Sequence, residues 1–184
     1  MEHYYRNIQG WFDYEWIYDT AIQRAEHNAH FVELGSWRGK STCYLGVSIV
    51  NSFKKIKVDA VDTWRGSLAE DVHQTDPAVI NDTLYDEFLQ NIKPIQHIIN
   101  PVRLSSMDAV KTYAENSLDF VLIDCSHEYE DVVDDITEWL KRVKPGGTLA
   151  GDDYKWEGVK RAVNELLPSA ELANGHWIYK KSTL

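Results

Sequence analysis

Short apolar runs alternate with longer amphipathic ones along most of the chain, and this restricts the fold more than any other feature. The spacing of Trp16, Ile17, Ala21, Ile22 and Ala25 predicts a helix over Glu15 to His27, followed by a short strand at Phe31 to Leu34. A helix over Lys40 to Phe53 and a strand at Lys57 to Val61, closed by Asp62, come next. A short helix over Asp82 to Ile92, a weak strand within Ile98 to Leu104, a helix over Met107 to Glu115 and a clear strand at Leu118 to Ile123 follow. Tyr129 to Val143 reads as an amphipathic helix ended by the turn Lys144-Pro145-Gly146-Gly147. A strand at Thr148 to Gly151, a helix at Gly158 to Leu167, and a hairpin of Ala170 to Ala173 with His176 to Lys180 about Asn174-Gly175 complete the chain. Right-handed crossovers between such strands give a parallel sheet covered by helices on both faces. Ligands of these sheets sit beyond the carboxyl ends of the strands.

A chain of 184 residues suits one domain spanning 1–184, with a helical N-terminal segment over 1–30. The polar stretch from Thr63 to Asn81 is too long for an ordinary connection; with the helix after it, it forms an insertion or lid region over 63–94. The formal charge of −10 argues against nucleic-acid backbones and anionic membranes as partners, and suits a cationic ligand or a metal. Cys43 and Cys125 stand far apart without metal-ligand spacing, as two thiols in a reducing compartment would. The aromatic, polar start MEHYYRNIQGWFDYEW lacks the apolar core of a signal peptide, and no run approaches a membrane span, so a cytoplasmic domain is expected.

Three strand ends carry polar groups. The first is Glu33-Leu34-Gly35-Ser36-Trp37-Arg38-Gly39-Lys40-Ser41. Trp37 stands where a dinucleotide-binding loop needs its second glycine, and only three residues separate Gly35 from Gly39, too few for a phosphate loop. The loop suits a non-phosphorylated cofactor bearing an amino acid; a purely structural turn is the alternative. The second is Asp62, whose carboxylate can accept both hydroxyls of a ribose or can cap a turn. The third is Asp124 with Asp152 and Asp153, which neighbouring strands would bring to one end of the sheet. Their mutual repulsion would be relieved by a hard divalent cation such as Mg²⁺. The alternative is that Asp152 caps a turn and Asp153 faces solvent. His127, three residues after Asp124, can act as a proton acceptor near neutral pH or simply start a helix. Trp37 and Trp64, in loops at the ligand end, are candidates to contact a ring, whereas the other tryptophans suit the core.

FVELGSWRGKST, VDAVDTW, SLDFVLIDCSHEYEDVVDDITEWLKRVKPGGTLAGDDY and GVKRAV resemble the class I S-adenosylmethionine-dependent methyltransferases. Within them the similarity is greatest to methyltransferase family 24, the group that includes the macrolide and aminocoumarin sugar O-methyltransferases. It covers about Phe31 to Val163. The resemblance implies an α/β, Rossmann-like, doubly wound seven-stranded sheet whose last strand is inserted antiparallel. It also implies that Glu33, Gly35 and Gly39 shape the methionine pocket, that Asp62 holds the ribose, that Ser106 lies near the adenine, and that Ser36, Ser41, Thr63 and Trp64 belong to the cofactor-binding set. Asp124 would touch the cofactor and, with Asp152 and Asp153, match the metal-binding acids of the Mg²⁺-dependent members. Related catechol O-methyltransferases carry a lysine base where this chain has His127.

These readings converge on an S-adenosylmethionine-dependent, divalent-metal-assisted O-methyltransferase acting on a small hydroxylated acceptor, a sugar or a phenolic. A metal-dependent hydrolase on the same fold and a non-catalytic cofactor-binding domain are the alternatives. Only 30 residues precede Phe31, fewer than the helical extensions of the antibiotic-sugar enzymes. Acceptor recognition is therefore expected from Tyr4 through Trp16, from Thr63 to Asn81, or from a second subunit in a homodimer.

Overall fold

A computed structural model describes residues 1–67 and 69–183; Leu68, within the expected lid stretch, lies outside the described residues. Seven strands form one sheet: β1 (Ala29–Leu34), β2 (Ile56–Asp62), β3 (Ile99–Arg103), β4 (Leu118–Ile123), β5 (Val143–Gly151), β6 (Glu171–Ala173) and β7 (His176–Lys180). Their order is β3-β2-β1-β4-β5-β7-β6. β1 to β5 pair in parallel, while β7 is antiparallel to both β5 and β6. The expected α/β sheet with its antiparallel C-terminal hairpin is thus the observed one. The chain winds outward in both directions from β1 and β4, so the crevice between their carboxyl ends is the switch point.

The helices are α1 (Glu15–Arg24), α2 (Lys40–Ser52), α3 (Asp71–Gln74), α4 (Pro77–Ile80), α5 (Leu84–Ile92), α6 (Ser106–Ala109), α7 (Tyr129–Arg142) and α8 (Glu157–Leu166). Strand alternation divides the core in two. Phe31, Phe120, Leu122 and Ala150 face a cluster with Ile17 and Tyr18 of α1, Leu45 and Ile49 of α2, and Phe88 and Ile92 of α5. Val32, Leu34, Val121, Ile123 and Leu149 face Val132, Ile136 and Trp139 of α7 and Val159 and Val163 of α8. In α5, Leu84, Phe88 and Ile92 recur every four residues, which places all three on one buried stripe. α7 carries Glu130 and Asp131 in its first turn and Lys141 and Arg142 in its last, each sign opposing the helix dipole.

Two local expectations are corrected, and a third stretch gains detail. Lys144 to Gly147 does not separate helix from strand: β5 begins at Val143, directly after α7, and these residues form a bulge between the pairs Leu118–Val143 and Phe120–Thr148. Gly146, at φ +78°, supplies the left-handed residue the bulge needs, and its N–H donates to the Lys181 carbonyl at 2.9 Å. The helix expected over Met107 to Glu115 is only α6 and one 3₁₀ turn, Val110–Thr112. The Thr63 to Asn81 stretch contains α3 and α4; Asp76 caps α4, accepting from the Ala78 N–H at 2.8 Å, with Pro77 as its first residue.

Arg38 anchors this insertion. Its guanidinium donates to Asp76 at 2.6 Å, to Glu87 of α5 at 2.7 Å and to Gln9 of the N-terminal segment at 2.7 Å. One mostly buried side chain therefore ties the loop after β1 to three other parts of the chain. No helix among the described residues is long and apolar enough to cross a membrane.

Candidate functional site

A cavity of about 920 Å³ opens at the carboxyl ends of β1, β4 and β5. Its floor includes Gly35, Ser36, Asp124, Asp152 and Asp153, and its walls include Gly10 to Asp13, Glu70 to His73 and Asn174 to His176. Six carboxylates line it, from Asp13, Glu70, Asp71, Asp124, Asp152 and Asp153, against the lysines Lys40 and Lys155. Such a surface favours a cationic occupant.

The loop after β1 is held in place from below. Glu33 is fully buried; it accepts from the Tyr18 hydroxyl at 2.6 Å, the Ser36 hydroxyl at 2.7 Å and the Thr42 hydroxyl. Burial still pushes its carboxyl above the ordinary range, against the pull of these donors. Gly35 sits at φ +86°, and a Cβ there would stand 1.8 Å from the Asp124 carbonyl oxygen, so only glycine lets β1's loop close against the end of β4. Asp62 supports the same loop from β2, accepting from the backbone N–H of Trp37 at 2.8 Å and of Trp64 at 2.7 Å. Burial raises its carboxyl too, opposed by those backbone donors.

The three aspartates lie in one cleft, and each is held by a dedicated donor. The Tyr14 hydroxyl donates to Asp124 Oδ2 at 2.8 Å. His176 Nδ1 lies 2.6 Å from Asp152 Oδ1, which also accepts from the Asp153 N–H at 2.6 Å. His127 Nε2 lies 2.8 Å from Asp153 Oδ2. Each carboxylate retains one oxygen outside these bonds. Burial, then the charges of Asp152 and Asp153, carry the Asp124 carboxyl well above the usual range. Burial first, then Asp153's charge, raises Asp152 as well. Donor atoms of Asp124, His127 and Asp153 lie within 4.8 Å of one another. Asp152 falls outside that set, so Asp124 and Asp153, with His127 beside them, are the donors whose chemistry fits a hard divalent cation.

His127 stands between two acids, with Nδ1 3.3 Å from Glu70 Oε1 and its ring stacked on Trp156 at 4.6 Å. Burial alone would lower its pKa, but Asp153, then Glu70 and Asp124, carry it above the ordinary value. Glu70 also reaches His73, 3.8 Å away, and His73 stacks on Trp37 at 4.3 Å. α3 is thus fastened across the cavity by contacts to both the loop after β1 and the turn after β4.

Of the residues singled out in the sequence, Gly35, Ser36, Ser41, Asp124, His127, Asp152 and Asp153 line the cavity, as does Trp37. The others stand behind it. Glu33 and Asp62 lie under the loop, and Gly39, at φ +83°, starts α2 against Phe88. The Thr63 hydroxyl accepts from the Arg65 N–H at 3.2 Å. Trp64 is a core residue, packed on Tyr85 and Phe88, with its indole N–H donating to the Trp37 carbonyl at 2.8 Å. Ser106 bonds Asp135 and accepts from the Trp139 indole N–H at 2.7 Å.

Tyr14, Asp13, Glu70, His73 and His176 were not singled out individually. Asp13, Tyr14, Glu70 and His73 fall in the two stretches expected to serve the acceptor, which is as close as the sequence comes to them. His176 had a legible signal: the Asn174-Gly175 hairpin beside β5, whose register Gly151–Trp177 continues to Asp152 opposite His176.

Residues 32–154 match the family described as a methyltransferase domain. No curated protein sequence matches the chain significantly. Among solved structures, the O-methyltransferase NovP is similar at TM-score 0.69 and 18% identity, covering 91% of this chain and 79% of its own. An O-methyltransferase from Bacillus cereus in complex with SAH is similar at TM-score 0.62 and 14% identity, covering 91% and 78%. An rRNA methylase from Streptococcus thermophilus is similar at TM-score 0.61 and 15% identity, covering 91% and 95%. At these identities the likeness is one of fold.

Proposed function

The chain belongs to the methyltransferase-domain family matched over residues 32–154, a family of S-adenosylmethionine-dependent enzymes, and from that premise we propose a divalent-metal-assisted O-methyltransferase acting on a small hydroxylated acceptor, a sugar or a phenolic. The observation that carries this reading is the meeting of Asp124, Asp152, Asp153 and His127 on one side of a roomy acidic cavity. Its volume is at the upper end of the range for small-molecule sites, enough for a cofactor and an acceptor together. The subgroup assignment, with the sugar O-methyltransferases, rests on the sequence motifs from FVELGSWRGKST to GVKRAV.

When bound, S-adenosylmethionine supplies the methyl group and a divalent cation acidifies the acceptor hydroxyl. The free oxygens of Asp124 and Asp153 would hold the cation, with the charge of Asp152 beside them. Glu33 and Asp62 fix the loop that carries Gly35 and Ser36, which would hold the cofactor's amino-acid end. His127 or water would receive the hydroxyl proton; Asp153 and Glu70, at the two ring nitrogens of His127, favour its imidazolium. Trp11 and Trp156, both half exposed at the cavity, offer flat surfaces for a sugar or phenolic ring. α3 covers the cavity and limits entry of water.

The test is calorimetric titration of S-adenosylmethionine with Mg²⁺ present and again with a chelator, followed by methyl-transfer assays on sugars and phenolics. Cofactor binding in both titrations, with turnover only when metal is present, is expected. Equal turnover in chelator would overturn the metal assignment, and absence of cofactor binding would overturn the whole reading.

A further inference from the structure

The C-terminal hairpin takes no part in the mechanism above, yet it grips the turn that carries Asp153. β7 begins at His176, and the register that pairs Gly151 with Trp177 sets His176 beside Asp152. His176 is 2% exposed, with its ring packed edge-on to Tyr14 at 5.7 Å. Its Nδ1 lies 2.6 Å from Asp152 Oδ1, and the same oxygen accepts from the Asp153 N–H at 2.6 Å. Because that oxygen already serves as an acceptor, the proton between it and Nδ1 belongs to the imidazole. A second bond runs alongside, from the Tyr154 N–H to the Gly175 carbonyl at 2.8 Å. The hairpin therefore holds the turn after β5 at two points.

What it holds is an unfavourable backbone. Asp153 stands at φ +58°, in the left-handed region that residues with a Cβ seldom enter. From there its Oδ2 reaches His127 Nε2 at 2.8 Å, and its carboxylate comes within 4.8 Å of a donor oxygen of Asp124. An extended or right-handed Asp153 would carry that carboxylate off in another direction. The bond from Asp153's own N–H to Asp152 favours the turn, provided Asp152 keeps its oxygen in place. We infer that His176 is a positioning residue: acting through Asp152, its Nδ1–H holds Asp153 in the conformation that brings its carboxylate to the cation proposed above. Only the cation rests on the proposed function; the chain of bonds from His176 through Asp152 to Asp153 does not.

Two variants of the full chain separate the ring's N–H from its bulk. His176→Asn places an amide N–H where Nδ1 stands, and His176→Leu fills space without a donor. Exchange of the Asp153 amide proton, followed by NMR, reads the turn with no metal present, and Mn²⁺ titration reads the cation site. In His176→Leu the Asp153 amide should exchange roughly tenfold faster and Mn²⁺ should bind roughly tenfold more weakly. In His176→Asn both should stay within about threefold of the wild type, although the smaller buried side chain lowers the Tm. If His176→Leu does not fold, wild-type values in His176→Asn sustain the role. Wild-type exchange in a folded His176→Leu would overturn it. So would a His176→Asn chain that fails to fold or that loses Asp153 protection, because the ring would then serve the core alone. Mn²⁺ that fails to bind the wild type would refute the metal assistance, and the exchange rates would then decide the role of His176 by themselves.

Discussion

The Tyr14 hydroxyl donates to Asp124 Oδ2 at 2.8 Å across 110 residues of sequence, joining the residue that precedes α1 to the carboxylate that ends β4. Tyr14 is fully buried, so the bond is made in a water-excluded setting where it both orients Asp124 and offsets part of the cost of burying its charge. Four residues on, Tyr18 does the same for Glu33. The start of α1 therefore serves the site from beneath.

Tyr14→Phe removes that donor and leaves a buried carboxylate oxygen unpaired. Stability should fall by about 2 kcal/mol in denaturant unfolding. Mn²⁺ affinity should fall roughly tenfold as Asp124 loses its orientation. S-adenosylmethionine affinity, measured in parallel by calorimetry, should change little; an equal loss of both would mean that Tyr14 merely supports the fold.

Asp152→Asn retains the shape of the side chain, and its amide oxygen can still accept from the Asp153 N–H. It removes one of the three charges that the proposed cation requires. Turnover should drop roughly 100-fold with cofactor affinity nearly unchanged. A variant methylating its acceptor at the wild-type rate would sink the metal-assisted mechanism.

Gly35→Ala drives a methyl into the Asp124 carbonyl and demands a left-handed conformation of a residue with a Cβ. A loss of about 3 kcal/mol or more in stability is expected, because both partners of the clash are backbone. Cofactor binding should be lost in any protein that still folds. Near-wild-type values for both would show that the loop can move away from β4.

Glu33 sets a pH dependence. Its carboxyl is raised in the folded chain by burial, above the unfolded value of about 4.3. Its contribution to stability is then fully present below the unfolded value and is lost as pH rises through the folded one. Thermal unfolding from pH 4 upward should therefore show the wild type losing ground to Glu33→Gln as pH increases. Parallel curves would mean that Tyr18, Ser36 and Thr42 satisfy the ionised carboxylate completely.

Most of the sheet was legible because a buried strand and an amphipathic helix differ in hydrophobic period, as Leu118 to Ile123 and Tyr129 to Arg142 show side by side. Lys144 to Gly147 was misread because a Pro-Gly-Gly run looks the same in a turn and in a bulge; pairing with β4 and with Lys181 decides between them. The short helices α3 and α4 escaped because four residues carry too little periodicity to register.

The sequence by itself determined the order of strands and helices and the appearance of Glu33, Asp62, Asp124, Asp152 and Asp153 at strand ends, because these depend on local patterning and connection rules. Tertiary structure alone decided which groups face them. Tyr14 on Asp124, Glu70 on His127, and Trp64 in the core rather than on the cavity all join residues distant in sequence, through side-chain directions that no local period encodes. The electrostatics of the site follow from those pairings: the same carboxyl is raised or lowered by burial and by its neighbours, and neighbours exist only once the chain has folded.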